Sequence, residues 1–348
     1  MSRGLGDVYK RQASSDTSGG ASTTVNVAYV TTKQHPYGIA IDAFAKDVDA
    51  TGALTVEGQP GYAQSEIQLL DDLRSGTVKM ASISSAVWDT AGITAFQALQ
   101  APFLITNYGL EGAVISDPGD IGKSMIAEAS QQAPDLQILA IHEGGLRKPF
   151  STDPLVSLAQ WKGKTIRAPQ SKVLAAGIQA LGANADPLPL PEVNQALLNG
   201  TVDGMEANFG LVVTQKLYED AKNFTANVNL WPFPTVLAAN KAWYDSLSAD
   251  QQAAITGSAA KIAAASLAIF TQPSTFPQDL VNCGVKFNIA TPQQMTQLAQ
   301  AGQKATSALA PESQDFVTQI ETLKDSSPPP PAPPPLPTEK TAACGATG

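Results

Sequence analysis

The chain has 348 residues, more than the roughly 250–300 that one hydrophobic core organises, so its size alone predicts two lobes. Hydrophobic residues make up 43% and charged residues 15%, enough apolar material to bury a core. A formal charge of −9 without any Lys/Arg cluster excludes a nucleic-acid surface, and no run approaches the roughly 18 consecutive apolar residues of a membrane span.

In chain order, residues 1–24 read as a disordered leader: MSRGLGDVYKRQ lacks the apolar segment of a signal peptide and is like read-through sequence, and Ala13 to Thr24 is a Ser/Thr/Gly linker. A true export signal is expected upstream. A first unit follows: strand Val25 to Thr31, helix Ile39 to Asp49, strand Leu54 to Glu57, helix Ser65 to Arg74 and strand Val78 to Ile83. A second unit repeats the plan: strand Lys164 to Ala168, helix Lys172 to Leu181, strand Ala185 to Leu188, helix Pro191 to Leu198 and strand Val202 to Ala207. The turn Gly76-Thr77-Val78 of the first recurs 124 residues later as Gly200-Thr201-Val202, where each Gly suits a left-handed helix cap. One repeat of domain size predicts two similar α/β lobes of βαβαβ type, not a solenoid. Ser326 to Pro337 is an extended polyproline spacer within a tail, 326–348, expected to be disordered.

Two such lobes enclose a cleft, and ligands bind at the carboxyl ends of parallel strands. That edge holds His35, Ser84 and Asn208, and above all Arg167, at the end of its strand in KGKTIRAP, whose planar fork suits a carboxylate. Arg147, twenty residues earlier in GGLRKPFST, reads equally as a ligand contact or an interlobe salt bridge. Tyr37, Trp88, Phe103, Phe209, Trp231 and Phe233 are candidate walls, and each is also a candidate for the core. The two histidines, His35 and His142, show no metal-ligand spacing, and no G-x-S-x-G or Walker loop occurs. Neither a metal nor a cofactor is expected, and binding is favoured over catalysis. Cys283 and Cys344 admit a disulfide, with two free thiols the default expectation.

The segments QHPYGIAIDAFAKDV, LLDDLRSGTVKMASIS, LQAPFL, GGLRKPFST, KGKTIRAPQSKVLAAGIQALGA, PEVNQALLNGTVDGMEAN and WYDSLSADQQAAI together resemble, in order and spacing, the solute-binding proteins of TRAP transporters, DctP type, over about Val25 to Lys324. The resemblance implies the following. The fold is α/β, two-lobed and periplasmic-binding-protein-like (type II), with strands crossing between lobes near Leu136 to Ile141 and Val236 to Ala239, and a long helix, Ser248 to Ile269, bracing both. Lobe 1 is 25–145, completed by about 225–255; lobe 2 is 146–224, completed by about 256–325. Arg167 maps to the substrate-carboxylate arginine, Arg147 to its upstream companion and Glu66 to the family's glutamate. Where many members read Gln-Glu-Asn-Pro with a ligand-binding Asn, this chain has Met205-Glu206-Ala207-Asn208, so Ala207 takes that place unless Asn208 replaces it in a shifted turn. The partners implied are a small organic acid and TRAP membrane permease subunits, for a monomeric protein that is periplasmic or otherwise extracytoplasmic, with a lipid anchor as one alternative. An ABC-type anion receptor and an enzyme on the same fold are the alternatives.

Overall fold

A computed structural model describes residues 24–116, 120–328 and 334–345. The expected leader lies outside them except for Thr24, which opens the first strand. The strands are β1 (Thr24–Ala28), β2 (Thr55–Gln59), β3 (Met80–Ser84), β4 (Leu136–His142), β5 (Lys148–Ser151), β6 (Thr165–Ala168), β7 (Asn184–Pro187), β8 (Gly204–Ala207), β9 (Asn223–Thr225), β10 (Thr235–Asn240) and β11 (Lys286–Asn288). They form two sheets, ordered β2-β1-β3-β10-β4 and β11-β9-β5-β8-β6-β7. Every element of the two expected βαβαβ units is present, within a few residues at each end.

One strand in each sheet runs against the rest: β10 in the first, β5 in the second. Both arrive from the other lobe. The chain passes from β4 to β5 through residues 143–147, and from β9 back to β10 through 226–234. The two crossovers pair: Arg147 N donates to Trp231 O at 2.8 Å, and Leu230 N to Arg147 O at 2.8 Å. The expected crossing strands therefore exist, and Arg147 lies at the midpoint of their junction.

Local chemistry sets the ends of the helices. His35, Ser65, Ser171 and Ser248 each accept a backbone N–H as N-caps, and Pro36 occupies a first-turn position where its missing N–H costs nothing. Gly76 and Gly200 adopt φ of 78° and 68°, the left-handed conformation that releases each chain into its next strand. The long helix Ala249–Thr271 is apolar enough in length and composition to span a membrane. In the fold its stripe of Ile255, Ala259 and Ile262 packs in the first lobe with Ile41 and Phe44 of helix Pro36–Asp49, and Ser266, nearer its end, bonds Glu143 N in the crossover.

Two expectations at the C-terminal end need correction. Helix Pro311–Ser326 does not complete the second lobe: Phe316, Val317 and Ile320 bury in the first lobe's core with Leu99 and Ile115. Cys283 and Cys344 are not free thiols but a disulfide, which ties residues 334–345 to the second lobe, where Asn282 Oδ1 also accepts from Thr341 N at 2.9 Å. Composition identified the extended proline run but carried no information on where its far end is fastened. Residues 329–333 of that run lie outside the described residues.

Candidate functional site

Strand β8 lies between β5 and β6, and this order assembles the charges. Arg147 precedes β5, Arg167 is on β6, and Glu206 is on β8; Pro149 is directly opposite Glu206, and Arg167 pairs with Met205. Arg147 and Glu206 are then diagonal neighbours on one face of the sheet, within reach of long side chains. Arg147 Nε is 3.3 Å from Glu206 Oε2, and Arg167 Nη1 is 3.7 Å from Glu206 Oε1. All three side chains are buried. The contacts are ionic and loosely aligned: Arg147 Nε and Nη1 and both Glu206 oxygens have no geometric hydrogen-bond partner among the described residues. Buried groups of this kind are expensive to leave unpaired.

Arg167 is fixed by a bond from Nε to Leu188 O at 2.9 Å, which aims the rest of its fork. Burial lowers its pKa to about 10, with Glu206 opposing the shift and Arg147 adding to it, so it stays charged at neutral pH. The Arg147 guanidinium lies 3.9 Å from the centre of the Phe233 ring, a cation–π contact. Burial raises Glu206 above the usual carboxylate range, against the pull of the two arginines.

The first lobe supplies the facing wall. Glu66, the first residue of helix Glu66–Ser75, accepts from Ser84 N at 2.8 Å and from Ser84 Oγ at 2.6 Å. Burial raises its pKa, and the Ser84 bonds and both arginines offset part of the rise. Glu66 and Ser65 from this lobe, with Arg167, Gln170 and Pro189 from the other, line one small cavity between the lobes.

The remaining sequence candidates separate by role. His35 is buried, its Nδ1 accepting from Tyr37 N at 3.2 Å, and burial with the Arg147 charge holds its pKa down to about 3, so it is neutral. Tyr37 Oη donates to Phe233 O at 3.0 Å and clamps the crossover from the first lobe. Gly144 is needed beside it, because a Cβ there would lie 1.9 Å from Phe233 O. Asn208 caps helix Phe209–Thr214 through Leu211 N at 2.7 Å and donates to Gly144 O at 3.0 Å. Ala207 is buried in the second lobe's core with Val193, Leu197 and Val202, on the opposite face from Glu206. Trp88 packs edge-on against Phe96 in the first lobe's core. Phe209 stacks with Phe224 and Phe287, while Trp231 and Phe103 join a core shared by Tyr37 and Leu174. Arg167, at the strand edge where ligands bind, is itself buried, at 5% exposure.

Sequence reasoning quoted Glu206 within a motif but gave it no role. An acidic residue in a strand otherwise reading Gly-Met-Glu-Ala was the available signal, since a carboxylate in a buried strand requires a cation. Glu143 and Glu111 were also missed. They form a second buried acidic pair beside the crossover, where Glu143 accepts from Gly144 N at 2.9 Å and the Glu111 oxygens have no geometric hydrogen-bond partner among the described residues.

Comparison with known proteins follows this geometry. The profile of bacterial extracellular solute-binding protein family 7, DctP, matches residues 27–312. The chain is 30% identical over 200 residues to the C4-dicarboxylate-binding periplasmic protein DctP of Rhodobacter capsulatus, covering 57% of this chain and 59% of that one. It is 29% identical over 201 residues to the 2,3-diketo-L-gulonate-binding periplasmic protein YiaO of Escherichia coli, covering 57% and 58%. These matches span less than two thirds of either relative. In fold it is similar to a TRAP periplasmic solute-binding protein of Shewanella oneidensis with bound succinate (TM-score 0.79, 20% identity, 87% of this chain and 99% of that one). It is similar also to one of Xanthobacter autotrophicus with bound β-D-galacturonate (TM-score 0.76, 24% identity, 86% and 99%). The chain belongs to the DctP family of bacterial extracellular solute-binding proteins, the TRAP receptors that its motifs resemble.

Proposed function

We propose that this protein is the extracytoplasmic receptor of a TRAP transporter: it takes a small organic acid into the interlobe cleft, closes on it and delivers it to membrane permease subunits. The observation that carries the reading is the pair of buried arginines, Arg147 with two unpaired donors and Arg167 lining the interlobe cavity, which share one negatively charged neighbour, Glu206. An incoming carboxylate gives those donors aligned acceptors, and a desolvated charge-assisted pair of this kind is strong. Arg167 is the principal carboxylate ligand and Arg147 its companion, with Glu66 and Ser84 facing them from the first lobe. His35 and Asn208 orient the crossover. The relatives carry names with C4-dicarboxylate and diketogulonate, and the similar structures hold succinate and galacturonate, all carboxylates. In this reading the lobes are 25–145 with β10, the long helix and the C-terminal helix, and 146–224 with residues 272–302.

A thermal-shift screen of organic acids tests it. A ligand at about 100 times its dissociation constant stabilises the native state by about 2.7 kcal/mol, a shift of several degrees. The reading expects carboxylates to raise the melting temperature and their uncharged amides or alcohols to leave it unchanged. Equal shifts from acid and amide would contradict it.

A further inference from the structure

A second contact between the lobes lies just beyond the loop that follows Arg167. Helix Lys172–Ala180 of the second lobe begins five residues after Arg167, and the loop joining them contributes Pro169 and Gln170 to the cavity. Its first turn carries no acidic residue of its own. The acid comes from the other lobe: Asp89, in the 3-10 helix Ser85–Ala91 that follows β3, places Oδ2 3.1 Å from Ser171 Oγ, 3.1 Å from Lys172 N and 3.3 Å from Val173 N. A carboxylate on the unsatisfied N–H groups of a helix N-terminus gains charge-assisted bonds and a favourable dipole. Gln100 reinforces it, its Oε1 3.0 Å from Ser171 Oγ and its Nε2 donating to Ser85 O at 2.7 Å. The single Ser171 hydroxyl proton is shared between these two acceptors. Asp89 and Gln100 are both buried in this arrangement, and Asp89 Oδ1 has no further geometric partner.

We propose that Asp89 is a closure latch and a positioning residue: by capping the helix of the opposite lobe, it favours the closed arrangement before ligand arrives and holds the loop after Arg167 in its binding geometry. Opening the lobes removes the carboxylate from three donors, which then face water. The latch touches no ligand, so it acts on the open–closed equilibrium, and apparent affinity falls in proportion to the closed fraction. It presupposes the lobe motion of the proposed function but not the carboxylate chemistry.

The test needs no ligand. All described cysteines are in the disulfide, so Ala43→Cys on the exposed face of helix Pro36–Asp49 and Leu198→Cys, 67% exposed on the second lobe, accept spin labels. Interlobe distances are then measured by pulsed electron spin resonance in the ligand-free full chain. Asp89→Ala should lower the closed-to-open ratio about tenfold, with Asp89→Asn intermediate because it keeps an acceptor and loses the charge. Lys172→Pro guards against misfolding at Asp89: proline is favoured at the first helical position and deletes only one latch donor, so it should shift the ratio in the same direction. A merely structural Asp89 would lower the melting temperature without moving the distance distribution. A broad wild-type distribution that neither substitution changes overturns the latch alone. A single narrow distribution common to all variants overturns the latch and lobe motion together. Loss of organic-acid binding with the latch response intact counts against the carboxylate reading only.

Discussion

The turns at Gly76 and Gly200 feed strands of matching position, β3 and β8, each reached through a helix and a left-handed glycine. Beyond that shared plan the two regions diverge in chemistry. β3 ends in Ser82 and Ser84, whose hydroxyls engage His142 and Glu66. Near the end of β8 stands Glu206, between Arg167 on β6 and Arg147 just before β5. Backbone and apolar pattern determine where a wall stands, and the polar residues at the last positions of the strand determine what it can recognise. The first wall carries one carboxyl and neutral hydroxyls; the second carries two cations whose charge is only partly balanced by Glu206.

The sharpest way to break this contrast is to remove a cation from the second wall. Arg147→Ala strips Glu206 of its nearer partner and Phe233 of its cation, and a buried charge left uncompensated costs about 3–5 kcal/mol. Urea unfolding should show that loss, whereas Ser84→Ala on the first wall should cost about 1 kcal/mol. Similar costs for the two would mean that the charge cluster contributes no more than an ordinary hydrogen bond.

The second lobe also depends on a covalent tie that is absent from the described part of the first. Cys344→Ser opens a link between residues 61 apart, for which about 2–4 kcal/mol is typical. Hydrogen exchange should increase around Cys283 and Asn282 and stay unchanged in β1 and β3. Uniform acceleration through both lobes would show that the tail stabilises the whole molecule rather than one region.

A third substitution separates the two faces of β8. Ala207→Asn places an amide in the core beside Val193 and Val202, at about 1–3 kcal/mol for an unsatisfied buried polar group, and should leave ligand preference unchanged. A changed ranking of acids in calorimetry would put residue 207 in the pocket after all.

The smallest effect lies in the crossover. Burial and the facing Glu143 raise Glu111 well above its ordinary value of 4.5, so its stabilising contribution is complete below that value and is lost as pH rises through the folded pKa. Glu111→Gln removes this titration. The melting-temperature difference, variant minus wild type, should therefore grow between about pH 5 and about pH 8. His35 and His142 destabilise the fold in the opposite direction as pH falls below 6.5, but they act equally in both proteins and cancel. A difference that does not vary with pH would place the Glu111 proton elsewhere.

Much of this was legible in the sequence, for physical reasons. Helix and strand periods and the two glycine turns are local signals, and the elements formed within a few residues of where those signals placed them. Arg167 was legible because a charge at the end of an apolar strand has few reasons to be there. Glu206 was not, since its meaning comes from the order β5-β8-β6, which brings together residues 147, 167 and 206 that are far apart in the chain. The aromatic candidates show the same limit: Trp88 and Phe209 follow strands, as wall residues do, yet they fill cores on their own lobes. Asp89 carried no signal of its own, because its partners are 82–84 residues away in the other lobe.

The central claim is that the second wall holds the ligand carboxylate through Arg167. Isothermal calorimetry with D-glucuronate and succinate on folded Arg167→Ala and Arg167→Lys tests it most directly. The account predicts at least about 100-fold weaker binding for Ala of whichever acid the wild type binds, and partial recovery for Lys, which restores the charge without the fork. A folded Arg167→Ala protein that binds that acid with near-native affinity would contradict it.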